Sequence, residues 1–411
     1  MGLPQSDNPN TMLPGSDSVH PLKLAIVTRR FWPYSGSTEM AVGDLASQLR
    51  ELGHTVDILT VRWEKNWPTH FQFQEHSVHR ISRPTTSPWS SFRYLRSMTR
   101  ELDEIQPDGI IVFELGVEAW SICKSFGGRI PLVIRIDSQT LDAQQRQSEF
   151  TARQVMALNM ATRVLVKSAT TLDRIKRHPS VKNEEIVVVP EGILIDHKHV
   201  RTPALHGASR GAISDAHPVL MIGPTQPLVV CGAPLEGDEG WTDLIHAWTR
   251  VLKRHPKARL WIVGDGKKGR QVWDQILDLN LVQSVIMPGS FDDWFDVLQA
   301  ADVYVHPMRN GESTGFLPRA MAAGVCCIVA STQSPPSIIE DNVNGLVADP
   351  QDPRGIAELI HSALSNKQLR ERLGQAALRS SATAYDIKRL VHHYLDPIKH
   401  LRRPATQFVD Q

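Results

Sequence analysis

A chain of 411 residues is too long for one small domain, and at roughly 150 residues per domain it predicts two or three. Its 41% apolar and 22% charged residues exclude collagen-like, wholly disordered and acidic-tail classes. With 45 basic against 44 acidic side chains the net charge is +1, too little for a broad nucleic-acid or anionic-membrane footprint, so any phosphate site has to be local.

Residues 1–20 lack the apolar core of a signal peptide and read as a disordered tail rich in Gly, Pro, Ser, Asp and Asn. Cys123, Cys231, Cys326 and Cys327 show neither zinc nor disulfide spacing, so a reduced, cytoplasmic compartment is expected. Ala216 to Leu235 is free of formal charge, but Pro218, Pro224, Pro227 and Pro234 break any spanning helix, and no transmembrane segment is predicted.

Leu24 to Thr28 is an apolar, β-branched run that predicts a buried strand, followed by a loop with Pro33 and Gly36. Val42, Leu45, Leu49 and Leu52 then recur at three and four, giving a helix that Gly53 stops. Further strands are predicted at Val56 to Val61, Val78 to Ile81, Gly109 to Phe113, Leu132 to Ile136, Val164 to Lys167 and Ile186 to Val189. His70, His76 and His79 alternate with apolar residues and are assigned to strands rather than to a metal site. From about His197 the pattern dissolves, and 206–226 reads as a linker between a domain at 21–205 and one at 227–382. The second domain repeats the alternation, with strands at Leu228 to Cys231, Arg259 to Val263, Val285 to Met287, Asp302 to Val305 and Cys327 to Ala330. A last helix within 383–403 is expected to return to the first domain. Strand and helix alternation predicts two α/β units, each a parallel Rossmann-like sheet.

Gly264 to Gly269 matches G-x-G-x-x-G after a strand, but the next strand is followed by Pro288-Gly289 rather than by an acid for a dinucleotide ribose. Ala301 to Pro307, the loop Gly311 to Gly315 and the run Phe316 to Gly324 form strand, polar loop and helix. The helix N-terminus near Gly315 is predicted to aim free N–H groups at an anion.

Gly264 to Gly266, Ala301 to Val303 and Ala320 to Gly324 resemble the C-terminal domain of the retaining glycosyltransferases of family 4. Glu340 to Val347, Asp349-Pro350 and Leu369 to Gly374 continue that resemblance. Pro33 to Gly36 with Glu39, Gly53 to Val56 and Val189 to Ile193 are similar to its N-terminal domain. The resemblance implies a GT-B fold, with two Rossmann-like domains whose parallel sheets face across a cleft. It implies a nucleoside-diphosphate sugar donor, a carbohydrate or lipid-linked hydroxyl acceptor, and no cofactor or metal; peripheral membrane contact stays open.

Several of the family's polar positions are substituted. Its two diphosphate cations are replaced by Ala233 and Glu239, its ribose carboxylate by Arg319 and its His after the Leu132 strand by Asp137. Two uncompensated charge-assisted bonds are worth about 3 to 6 kcal/mol, so replacement cations are needed, with Lys267, Lys268, Arg309 and Arg319 as candidates. Asp137 and Glu312 are the expected catalytic carboxylates, the latter holding donor-sugar hydroxyls. Gly36, Gly264, Gly266, Lys267, Arg309, Thr314, Gly315, Phe316 and Arg319 are the expected donor-binding set, and Glu39 is the acceptor-side residue. These substitutions leave open a non-catalytic relative that binds a nucleotide sugar or a protein through the same cleft.

Overall fold

The structure is a computed structural model that describes residues 20–34, 36–85, 87–136, 150–195, 200–232, 235, 240–291, 294–308, 315–331, 338–349 and 351–401. In chain order the first lobe runs β1 (Lys23–Val27), α1 (Ser37–Glu51), β2 (Thr55–Arg62), β3 (His70–Phe73), β4 (His76–Ser82), α2 (Pro88–Ile105) and β5 (Gly109–Phe113). It continues with α3 (Val117–Phe126), β6 (Leu132–Ile136), α4 (Ala152–Met160), β7 (Arg163–Val166), α5 (Ala169–Lys176) and β8 (Ile186–Val188). These strands form one sheet in the order β3-β4-β2-β1-β5-β6-β7-β8, parallel except for the β3–β4 hairpin. The second lobe comprises α6 (Pro203–Ala216), β9 (Leu228–Gly232), α7 (Trp241–Arg254), β10 (Arg259–Val263), α8 (Gly269–Asp278), β11 (Val285–Gly289), α9 (Phe295–Ala300), β12 (Val303–Met308), α10 (Phe316–Ala322), β13 (Cys326–Ser331), β14 (Leu346–Ala348), α11 (Pro353–Ser365) and α12 (Lys367–Ala384). Its sheet order is β11-β10-β9-β12-β13-β14, all parallel.

Both sheets are covered on both faces, so their central strands are continuous apolar runs in which alternate residues serve opposite cores. In the first lobe Ala25, Val27, Ile110, Val112 and Ile134 pack toward α2, α3 and α4. Leu24, Ile26, Ile111 and Val133 pack toward α1 and the chain's last helices. In the second lobe Val229, Cys231 and Ile262 face α7, α8 and α11, while Val230, Trp261 and Tyr304 face α9 and α10. The four cysteines are free and buried, and burial pushes the Cys123 and Cys326 thiols up to about 12.

Two sequence expectations change. The stretch 206–226 is no open linker, because α6 folds through it and lies against α9. Arg210 fixes it there, donating to the carbonyls of Ala300, Gly223 and Gln226 and to Asp302 at 2.8 Å. The last helix is broken into α13 (Ile387–Leu390) and α14 (His392–Leu401). Both pieces contribute to the first lobe, where Ile387, Val391, Tyr394, Leu395 and Ile398 share one core with β1 and β5.

An ideal Cβ added at Gly109 would fall 2.6 Å from Ile398 Cδ1, which measures how closely α14 approaches β5. Ile398→Ala should therefore cost about 2 to 5 kcal/mol in chemical denaturation, the range of a core truncation. A cost below about 0.5 kcal/mol, typical of surface sites, would show that α14 is not part of this core.

His70 and His79 lie opposite each other in the β3–β4 ladder, and both rings reach Glu101 of α2, at 3.0 and 2.8 Å. Burial disfavours the charged His79 ring, yet hydrogen bonds to Asp57 and Glu101 outweigh it and hold its pKa above the usual 6.5. Burial likewise opposes the Glu101 charge, but its bonds to His70 and His79 bring it below the usual 4.5. A raised histidine stabilises below its unfolded pKa and a lowered carboxyl stabilises above its own. The stability gap between the natural chain and His79→Gln should thus be widest between pH 4.5 and 6.5 and shrink on either side. A gap that grows steadily above pH 6.5 in pH-dependent denaturation would contradict this assignment.

Candidate active site

The carboxyl ends of the two parallel sheets meet across a cleft of about 900 Å³. Ligands of open α/β folds bind at such strand ends, because the following loops project there. The first lobe supplies Thr28, Arg29 and Arg30 after β1, then Tyr34, Gly36 and the opening residues of α1, Ser37 to Glu39. Trp63 after β2 and Glu114 after β5 complete that wall. The second lobe supplies Gly264 to Lys267 after β10, Ser290 after β11 and Phe316 at the start of α10. Gly36, Glu39, Gly264, Gly266, Lys267 and Phe316, widely separated in sequence, are thus brought to one cavity.

The glycine loop after β10 is held tightly. Gly264 N–H donates to the Gly289 carbonyl at 2.9 Å, and Gly266 N–H to the Asp265 side chain at 2.7 Å. A Cβ on Gly266 would run into the carbonyl group of Leu235, so glycine serves close backbone approach at this position. Those two N–H groups are engaged, one with the end of β11 and one within the loop, and the cations of the cleft are side chains: Lys267 on one wall, Arg29 and Arg30 on the other. Arg30 stacks over the rings of Tyr34 and Trp63 at 5.4 and 5.5 Å. The arginine doublet was not singled out from sequence, although two cations directly after the first strand sit where a ligand crevice is expected.

Arg319 lies elsewhere. It does not line this cleft but a neighbouring cavity of about 430 Å³, together with Asp44. Its guanidinium pairs with Asp44, approaches Glu191 at 3.5 Å and donates to the Gly315 carbonyl at 3.0 Å. Glu191 is buried and also accepts from Lys167 at 3.1 Å and from Ser37 at 2.9 Å. Burial raises the Asp44 carboxyl above the usual range against the opposing charge of Arg319. The predicted role of Arg319 as a diphosphate cation is therefore replaced by a bridge between lobes.

Gly315 is corrected as well. Its N–H donates to Ser37 Oγ at 3.1 Å rather than standing free, and a Cβ there would collide with Glu191 and lie 2.9 Å from Ser37 Oγ. Lys268 turns to Gln271 at 3.1 Å and does not line the cleft. Asp137, Arg309, Glu312 and Thr314, with Ala233 and Glu239, lie outside the described residues.

The comparisons with known proteins agree with this arrangement. The model "Glycosyl transferases group 1" matches residues 213–380 and "Glycosyltransferase Family 4" matches residues 38–197. The chain belongs to the group 1 glycosyltransferases. A lipopolysaccharide core biosynthesis glycosyltransferase of Rhizobium meliloti is 25% identical over 150 residues, 36% of this chain and 44% of that relative. Matches to four such bacterial relatives span 17 to 54% of their own length. Among solved structures, sucrose-phosphate synthase from Thermosynechococcus elongatus superposes with TM-score 0.72 at 16% identity, over 92% of this chain and 99% of that one. Anabaena HepE in complex with UDP and glucose gives TM-score 0.70 at 16% identity, over 92% and 100%. These likenesses show the shared fold, GT-B, for this glycosyltransferase.

Removing one member of a network in which the others keep further partners costs the charge-assisted hydrogen bonds that it made, about 1.5 to 3 kcal/mol. Glu191→Gln and Arg319→Met should each destabilise the glycosyltransferase on that scale, and the double variant should lose less than the sum. Strict additivity in a double-mutant cycle would show that the two do not act as a pair.

Proposed function

We propose that the protein transfers a glycosyl group, with retention at the anomeric carbon, from a nucleoside-diphosphate sugar to a hydroxyl acceptor. The observation that carries this reading is the single cleft in which Gly36 and Glu39 of one lobe face Gly264 to Lys267 and Phe316 of the other. A site walled by two lobes orients two substrates and excludes water, which suits group transfer over hydrolysis. The structural neighbour HepE is described with UDP and glucose bound, which supports a nucleotide-sugar donor on the same fold.

In this reading the second lobe holds the donor and the first lobe the acceptor. The bond from the anomeric carbon to the diphosphate oxygen breaks, the bond to the acceptor oxygen forms, and the acceptor proton leaves with the diphosphate or to a carboxylate. Charge develops on the leaving diphosphate, and Lys267, Arg29 and Arg30 stand in for the cations absent at Ala233 and Glu239. Glu312 holds donor-sugar hydroxyls, Asp137 orients the donor or takes the acceptor proton, Arg309 and Thr314 extend the donor side, and Glu39 contacts the acceptor. The reaction draws on the sugar nucleotide alone, without a cofactor. No helix among the described residues is long and apolar enough to cross a membrane, which fits our placement of the enzyme in the cytoplasm, with a carbohydrate or lipid-linked acceptor.

A thermal-shift screen with UDP, GDP and ADP sugars should raise the Tm with one base, since a ligand selective for the folded state stabilises it. Mass spectrometry with that donor and mixed acceptors should then show turnover. Lys267→Ala should weaken binding of the nucleoside diphosphate about tenfold to a hundredfold while changing nucleoside binding little. No shift with any sugar nucleotide at millimolar concentration would overturn the reading.

A further inference from the structure

A second cavity, of about 760 Å³, opens beside the cleft, and Arg29 and Trp63 line both. Its walls are the residues that follow β1, β2 and β4 together with α2, so it lies on the same ligand-bearing edge of the first sheet. The Trp63 indole N–H donates to the Arg29 carbonyl at 3.0 Å, which fixes the ring as a partition between the two spaces.

The charge of this groove is one-sided. Among the described residues Arg29, Arg62, Lys65 and Arg83 line it against a single carboxylate, Glu118. Glu118 is buried and already committed, to Arg29 at 3.5 Å and to the Tyr94 hydroxyl at 3.2 Å. Among the described residues no carboxylate pairs with Arg62, Lys65 or Arg83: Arg62 meets Ser82 Oγ at 3.3 Å, and Arg83 stacks over Trp63 at 4.8 Å. Three cations therefore converge on one space without a counter-charge among the described residues. The protein as a whole is almost neutral, so this imbalance is local. A carboxylate carries one charge and is satisfied by one bidentate arginine, whereas a phosphate carries up to two charges and three acceptor oxygens.

Resting on the transferase reading above, we infer that this groove seats the acceptor and that the acceptor bears a phosphate group. The phosphate lies among Arg62, Lys65 and Arg83, and the hydroxyl to be glycosylated reaches past Trp63 into the cleft. The same chemistry is presented by a soluble sugar phosphate or by a phosphate headgroup at a lipid surface.

Calorimetry with glucose 6-phosphate, inorganic phosphate and glucose, and sedimentation with phosphatidylcholine vesicles with and without phosphatidylinositol, separate these sources. The natural chain should bind a phosphate-bearing probe at least about tenfold more tightly than glucose, with an affinity that falls as salt rises. The double variant Lys65→Gln, Arg83→Gln should lose about tenfold to a hundredfold of that binding, at unchanged Tm and unchanged nucleoside-diphosphate binding. Loss seen with glucose 6-phosphate supports a soluble acceptor, and loss seen only with phosphatidylinositol vesicles supports a lipid headgroup. Equal binding of every probe by the natural chain and the variant, or no binding by either, overturns the inference. The transferase reading fails separately, on absent binding of any sugar nucleotide, because the groove result rests only on the difference between the chain and its variant.

Discussion

Two carboxylates and two cations meet where the lobes touch, and the shape of the cleft depends on their agreement. Asp44 and Glu191 come from the first lobe, Lys167 stands beside Glu191, and Arg319 enters from the second lobe. Taking each such ion out of water costs several kcal/mol, an amount recovered only when the partners and remaining hydrogen bonds are all in place. Ser37 fills one of those places by donating to Glu191 while accepting from Gly315. A shift of either lobe would leave charge unpaired in a low-dielectric setting, so the network favours one relative position of the lobes over its neighbours. Gly315 is required for the same reason: no side chain fits between Glu191, Ser37 and Arg319 at that point.

This network gives Arg319 its setting in the fold. Arg319 is held by Asp44 as well as by Glu191, and Glu191 by Lys167 and Ser37 as well as by Arg319, so each of these two charges has more than one partner. Together the two carboxylates and two cations balance in charge. The cleft itself is lined by cations of another origin, Lys267 in the glycine loop and the Arg29-Arg30 doublet after the first strand.

The parts of the molecule readable in its sequence are those decided by local pattern. Gly109 to Phe113, Leu132 to Ile136 and Arg259 to Val263 are strands at the bounds their apolar runs predict, because a strand buried on both faces has no polar alternation to blur its ends. The glycines and Lys267 after β10 were placed by the same logic. Helix α6 was missed because Gly207, Gly211 and flanking Pro and His weaken its propensity, while its stability comes from Arg210 gathering carbonyls from a distant turn. Arg319 was misplaced for a related reason. Its partner Asp44 is 275 residues away, and a long-range ion pair leaves no periodicity to read.

Charge is divided between two roles by its exposure. At the lobe interface the charges are paired and largely buried, Glu191 to 5% and Arg319 to 13% side-chain exposure, so salt screens them little and they act as fixed geometry. In the groove beside the cleft the cations are more open: Lys65 and Arg83 face solvent. Their charges stay hydrated until a ligand arrives, so keeping them unbalanced costs the fold little. An isolated buried cation would be far more expensive. The same positions therefore tolerate a surplus of positive charge that the interface could not, and among the described residues that surplus lies with Arg62, Lys65 and Arg83, since Arg29 is balanced by Glu118.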